Sequence, residues 1–478
     1  MIYGVNDRPK FGQLVLFALQ QLLAIITATI VVPVLTNSVA VSEGVDLVLD
    51  PAAALFGAGV GTIVYILFTK RKSPVFLGSS FAFLGSMGTA VTCGYWGIIM
   101  GTIVAGLVYV IIALIVMFVG SGWVNKLLPP VIIGPTVALI GLSLAGNAVG
   151  DVMKSSATGS PDNLIAILCG VFTFFVVVLC SVKGTKGMKL IPFVIGILAG
   201  YALASVFTGI GYLANVDYLK IVDYSALVTN FTDISFTSFL DYPKFTFLHG
   251  WDLTGAEFVT VLVAYAPVAF VVLAEHIADH KNISSIIEKD LITDPGLHRT
   301  LLGDGIGSMV GGFFGGCPNT TYGESVGCVA ITRNASVITI FGAAVLAIIV
   351  SFVSPVVAFI NTIPSCVMGG VCLALYGFIA VSGLKMLQPV DLNDNKNLFV
   401  VSAILIAGIG GLVLNFGPVQ ITSIATALIL GILTNLILKD WKKNDKTPAE
   451  GETAEAAEAA EPAEEKPEQT AKQENEVK

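Results

Sequence analysis

The chain has 478 residues, of which 55% are hydrophobic and only 12% charged, and its formal net charge is −8. A soluble globular chain carries about 25% charged residues, so the composition argues against a water-soluble domain and makes lipid the main solvent. The seven cysteines (93, 169, 180, 317, 328, 366 and 372) are odd in number, with no CxxC spacing and no companion histidines. They read as small residues buried among helices, not as a disulfide framework or a metal site.

After residues 1–12, apolar runs predict helical spans at 13–36, 52–69, 74–92, 97–119, 130–147, 163–182 and 190–211. Residues 11–42 and 82–125 contain no charged side chain, and each run exceeds the ~20 residues that a spanning helix needs. The first run lacks a small-residue cleavage signature and reads as a retained span. A polar segment rich in Asp, Tyr, Phe and Thr occupies 212–252. The second set of runs lies at 255–278, 300–316, 319–332, 335–361, 365–384, 397–414 and 419–438. Residues 78–92 and 317–332 are too polar for ordinary lipid-facing helices. The expectation is an all-α polytopic membrane protein with about fourteen spans.

Charge supports the even count. With the N-terminus inside, nineteen Lys and Arg fall in inside segments, while only Lys154, Lys220 and Lys244 fall outside. Short cytoplasmic loops favour Lys and Arg, so both termini are expected in the cytoplasm, with the chain in the plasma or inner membrane. Residues 439–478 are different material. They form an acidic tail without aromatic residues that cannot bury a core and is expected to be disordered.

An internal repeat is visible. Val31-Val32-Pro33-Val34 resembles Tyr265-Ala266-Pro267-Val268, and Pro129 and Gly134 recur as Pro364 and Gly369. Gly78-Ser79-Ser80-Phe81 through Gly88 falls where Cys317 through Gly327 lies in the second half. The shared offset of about 235 residues predicts two seven-span halves, 13–211 and 253–438, joined by an extracytoplasmic loop at 212–252. An odd number of spans per half inverts the second, and inverted repeats place a transport site at the midplane where broken helices meet.

Ionisable groups within spans mark function by default. The interior acids noted are Glu275 and Glu324, with His276 and Asp279 within one turn of Glu275. The bland alternative, pairing with a buried base, is weakened because no Lys or Arg lies inside a span. The run Gly315-Gly316-Cys317-Pro318-Asn319-Thr320-Thr321-Tyr322-Gly323-Glu324 cannot form a continuous lipid-facing helix. Unwound backbone at membrane depth is tolerated where it lines a cavity. Carboxylates accept N–H and repel anions, Phe81 and Tyr322 can stack on a flat ring, and free backbone N–H can donate to carbonyls. A small, planar, neutral imide fits, although Phe81 could equally be ordinary packing.

At these residues the chain resembles the nucleobase–ascorbate transporter family. The motifs that carry the resemblance are Phe76-Leu77-Gly78-Ser79-Ser80-Phe81-Ala82-Phe83, Ala274-Glu275-His276, Asp294-Pro295-Gly296-Leu297-His298-Arg299 and Pro318-Asn319-Thr320-Thr321-Tyr322-Gly323-Glu324. Similarity runs from about Gly4 to Lys439. The resemblance implies a 7+7 inverted-repeat fold of core and gate domains, often dimeric, with short antiparallel strands from spans 3 and 10 crossing at the site. It implies that Glu275 and Glu324 bond the pyrimidine edge, that Phe81 stacks on the ring and that the Tyr322 and Gly323 backbone contacts it. Three departures stand out: Ser325 where Asn is usual, Gln20-Gln21 where Gln-His is common, and Asp279 where similar permeases carry a coupling histidine. Ser80 and Tyr376 occupy the positions of that histidine's hydrogen-bond partners.

The expected activity is import of uracil coupled to protons. A buried carboxyl without a cationic partner favours its protonated form, which nominates Glu275 and Asp279 for coupling, with sodium as the other candidate ion. No cofactor, metal or nucleic-acid partner is expected. A purine, xanthine or uric acid carrier is the near alternative. Two midplane acids oppose an anion transporter of similar fold. A membrane enzyme using Glu275, His276, Asp279 and His280 is disfavoured because all four do not share one helix face, and His280-Lys281 reads as the start of a polar loop. The run Gly311-Gly312-Phe313-Phe314-Gly315-Gly316 lacks the lysine and hydroxyl of a phosphate loop and predicts close helix packing.

Overall fold

A computed structural model describes residues 1–438 except 161, 233, 252, 417 and 418. The predicted acidic tail at 439–478 lies outside the described residues. Residues Met1–Asn435 form one compact unit, and of the second, Leu436–Lys478, only 436–438 are described.

The principal elements are α1 (Phe11–Ser42), α2 (Pro51–Phe68), β1 (Leu77–Ser79), α3 (Leu84–Val91), α4 (Gly94–Val119), α5 (Pro130–Ser143), α6 (Leu164–Lys183) and α7 (Pro192–Ala214). They continue as α8 (Gly255–Ile287), α9 (Leu297–Gly315), β2 (Asn319–Thr321), α10 (Gly323–Thr332), α11 (Val337–Ser351), α12 (Ser365–Lys385), α13 (Asn395–Ile409) and α14 (Ser423–Ile437). Eight helices among the described residues are long and apolar enough to cross a membrane, and four shorter apolar helices accompany them. Their outer faces carry large apolar side chains such as Phe118 and Leu213, 79% and 91% exposed. A soluble protein cannot present such a surface without associating.

Local sequence sets the helix starts. Asp50 caps α2 by accepting from Ala52 N–H at 2.9 Å, and Asn163 caps α6 through the N–H groups of Ile165 and Ala166. Thr254 and Glu257 form a reciprocal capping box at the head of α8. Each satisfies donors that the first helical turn leaves unpaired.

The helices pack in two groups. In one, α2 lies against α9 and α11, while α4 lies against α8 and α9. In the other, α12 packs on α5 and α6, with α7 on α6 and α13 on α5. The groups touch where α8 meets α5 and α1 meets α7. Glycine makes the α2–α9 crossing possible: a Cβ on Gly57 would lie 2.3 Å from the Gly311 carbonyl oxygen. The glycine-rich run at 311–316 thus serves backbone approach, as its composition predicts.

Several boundaries differ from expectation. The eighth predicted span, 255–278, is a helix that continues to Ile287. The predicted polar loop at His280-Lys281 is therefore corrected to helix. Ile283 and Ile287 recur at helical spacing and are buried, and that apolar stripe outweighs the exposed Lys281 and Asn282. The run 335–361 is interrupted after Ser351, and a separate short helix spans Ser354–Asn361, with Pro355 in its first turn.

Candidate substrate site

The site is built on two three-residue strands. β1 and β2 pair antiparallel, with Leu77 opposite Thr321, Gly78 opposite Thr320 and Ser79 opposite Asn319. Ser80 N–H extends the ladder by donating to the Pro318 carbonyl at 2.8 Å. Each strand turns directly into a short helix, β1 through residues 81–83 into α3, and β2 through Tyr322 into α10. Two helix N-termini, each with unpaired N–H groups and a partial positive charge, therefore emerge from one crossing.

Gly78 is required at this crossing. A Cβ there would lie 2.3 Å from the Tyr322 ring, which is buried and donates its hydroxyl to the Ser79 carbonyl at 2.7 Å. Tyr322 is thus committed to the strand pair, and of the two aromatic residues read as platforms for a flat ring, Phe81 is the one left at the turn. Phe81 is itself largely buried and meets Tyr376 of α12 edge-on, with ring centroids 5.6 Å apart and planes at 77°. This contact joins the two helix groups.

The carboxylates come from α8 and α10. Glu275, Asp279 and Glu324 are half-buried, whereas Ala274, His276 and Ser325 beside them are buried. Thr321 of β2 donates its hydroxyl to Asp279 Oδ2 at 2.9 Å. Gly323 is exposed, and a Cβ there would lie 3.9 Å from Asp279 Oδ1. Glu275 lies within reach of the charges on Asp279, Glu324 and Asp304. The ion pairs among the described residues are Lys72–Asp294, Lys220–Asp217 and His276–Asp304, so neither glutamate has a cationic partner. A negative, partly accessible recess results. It suits N–H donors and disfavours anions.

The other candidate partners are arranged differently. The Ser80 and Tyr376 hydroxyls form no hydrogen bond among the described residues, and Thr321 is the side chain bonded to Asp279. Sequence reasoning passed over Thr321, and it also passed over Asp304, although an acid inside the predicted span 300–316 was a readable signal. Asp304 Oδ2 meets His276 Nδ1 at 2.6 Å, and His276 Nε2 meets Thr300 at 3.0 Å. His280 pairs with Tyr65 and the His276 carbonyl. Both imidazoles are therefore committed to buried bonds, which turn them away from the metal arrangement that the spacing had already disfavoured.

A cavity of about 1140 Å³ lies elsewhere. It is lined by Asn37, Asp50, Tyr95, Lys244, Thr362 and Ser365 among others and contains none of the three carboxylates. The chemistry of the crossing, with its carboxylates, helix N-termini and ring, makes it the better candidate for recognition.

Known proteins resemble this chain in sequence and in fold. The profile described as the Permease family matches residues 12–416. The chain is 41% identical to the uracil permease of Bacillus caldolyticus, over 91% of this chain and 94% of that protein. It is 38% identical to the uracil permease of Escherichia coli K12, again over 91% and 94%. Among solved structures, the transmembrane domain of the cyanobacterial bicarbonate transporter BicA aligns with a TM-score of 0.55 at 14% identity, over 90% of this chain and 99% of that one. The murine anion transporter Slc26a9 aligns with a TM-score of 0.60 at 12% identity, over 90% of this chain and 69% of that one. At such identities the likeness is one of fold.

Proposed function

The chain belongs to the permease family of nucleobase–ascorbate transporters, a multi-pass membrane protein and not an enzyme, and from that premise we propose that it imports uracil by proton symport. The observation that carries the reading is the β1–β2 crossing, which gathers Phe81, Gly323 and Glu324 beside Glu275 and Asp279, with no cationic partner for these acids among the described residues. In this reading Glu275 and Glu324 hold the polar edge of the pyrimidine. Phe81 stacks on the ring, and the Tyr322 and Gly323 backbone contacts it. Glu275 and Asp279 carry the coupling proton, with Ser80 and Tyr376 in the surrounding network. The relatives named uracil permease favour uracil over xanthine or uric acid. The carboxylates oppose the anion chemistry of the two structural neighbours.

The same reading takes fourteen crossings as two inverted halves. The eight long and four short apolar helices, with α9 and α10, supply one helical segment per crossing. α1 and α8 each carry an internal proline, Pro33 and Pro267, and Pro129 and Pro364 each cap the next matched helix. Loops assigned to one side also bond to each other. Lys72 pairs with Asp294, Ile2 N–H donates to the Arg333 carbonyl, and Lys244 N–H donates to Asp50. These pairings agree with each pair of segments lying on one side, and the excess of Lys and Arg in the segments assigned inside supports both termini in the cytoplasm of a cell-membrane protein. Alternating access then moves the α1–α4 and α8–α11 group against the α5–α7 and α12–α14 group, in a protein that forms homodimers.

The test is uptake of radiolabelled uracil in cells lacking their own permease, with unlabelled competitors and a protonophore. Uptake suppressed by unlabelled uracil and by the protonophore supports the reading. Suppression by xanthine alone moves the substrate to purines, and strict sodium dependence without protonophore sensitivity replaces the coupling ion.

A further inference from the structure

Beside β2, residues of α4, α8 and α9 line a small chamber of about 10 Å³ whose lining includes Phe83, Ala105, Tyr109, Asp304, Ser308 and Asn319. Its polar groups are deeply buried: Asp304 is 1% exposed, and Tyr109 and Ser308 are 4% exposed. Asp304 Oδ2 is held by His276, but Oδ1 has no hydrogen-bond partner among the described residues, and the Tyr109 and Thr320 hydroxyls, which lie close to each other, have no further partner there. Ser308 Oγ accepts from Asn319 N–H at 2.9 Å, which leaves its own hydrogen to donate.

Buried polar groups find a partner in protein or in ordered water. A chamber of this size is close to one water probe sphere, and buried waters make about three hydrogen bonds. We infer that one internal water molecule resides between Tyr109, Asp304 and Ser308. It accepts from the Tyr109 and Ser308 hydroxyls and donates to Asp304 Oδ1. A desolvated metal cation would need about six oxygen ligands, more than these three side chains supply. The Asn319 amide nitrogen is already directed at the Gly57 carbonyl.

The water has a structural task. It ties α4 to α9 beside the crossing, and Ser308 in turn holds the first residue of β2. Two residues further along that strand, Thr321 holds Asp279. The chamber therefore braces the strand at its first residue. This inference rests on side-chain geometry and does not depend on which nucleobase is carried.

A structure of the full chain at a resolution that shows ordered water should contain one peak within hydrogen-bonding distance of all three side chains, and Tyr109→Phe should weaken or remove it. Thermal unfolding of Tyr109→Phe, Ser308→Ala and the double variant should give a combined loss smaller than the sum, because both hydroxyls serve one molecule. A wild-type map without the peak, or strictly additive losses, overturns the inference. Melting should be the same in sodium and choline chloride. A sodium-dependent rise that Asp304→Asn abolishes would make this a cation site and also overturn it.

Discussion

The Gln21 side-chain amide on α1 donates to the Ser325 hydroxyl on α10 at 2.5 Å, across 304 residues of sequence. The same oxygen accepts from Phe76 N–H at 3.0 Å, so a single hydroxyl links α1, the approach to β1 and the first turn of α10. Gln21 and Ser325 are two of the departures from the family's usual pattern. In the fold they face each other.

Ser325→Ala should leave two buried donors unpaired, each at a cost of about 1–3 kcal/mol. Thermal unfolding of the purified variant measures the loss. Because Ser325 neighbours Glu324, apparent substrate affinity should fall as well.

Gly78→Ala should abolish transport while the protein still reaches the membrane. The new methyl would drive the Tyr322 ring out of the crossing, whereas Tyr322→Phe removes only the bond to Ser79 and should cost about 0.5–1.5 kcal/mol. Uptake assays with surface quantification separate the two. Near-normal uptake by Gly78→Ala would mean the crossing tolerates displacement.

Glu324→Gln and Glu275→Gln should each weaken uracil binding by tenfold or more. Each retains shape but loses a charge-assisted acceptor, and such bonds contribute about 1.5–3 kcal/mol. Calorimetric titration on purified protein reads the change directly. Asp279→Asn should retain binding while flattening the pH dependence of uptake, since its carboxyl is assigned to coupling.

Gly311→Ala should destabilise the α2–α9 crossing. A Cβ there would sit 2.0 Å from the Asn319 amide and 2.9 Å from the Gly57 carbonyl. Overpacking of this kind costs about 1–3 kcal/mol, so a lower melting temperature and reduced uptake are expected together, because Asn319 begins β2.

Much of the molecule was legible without coordinates. Solvent class, the apolar runs, the broken segments around Gly78 and Pro318 and the carboxylates Glu275 and Glu324 follow from local composition, because a lipid environment penalises every charge and every unpaired backbone group where it occurs. The end of α8 was misjudged because Lys281 and Asn282 are polar, while the stripe of Ile283 and Ile287 that keeps the helix going acts only through packing.

The sequence by itself determined that the chain lives in a membrane, that charge is concentrated at span edges and that the interior acids sit near interrupted helices. These are one-dimensional consequences of solvation, readable residue by residue. Only the tertiary structure decided that Thr321 holds Asp279, that Gly78 makes room for Tyr322, that Gln21 meets Ser325 and that Asp304 pairs with His276. Each joins segments tens to hundreds of residues apart. Hydrogen bonds and glycine contacts depend on separations of a few tenths of an ångström, and folding the helices against one another is what sets those separations.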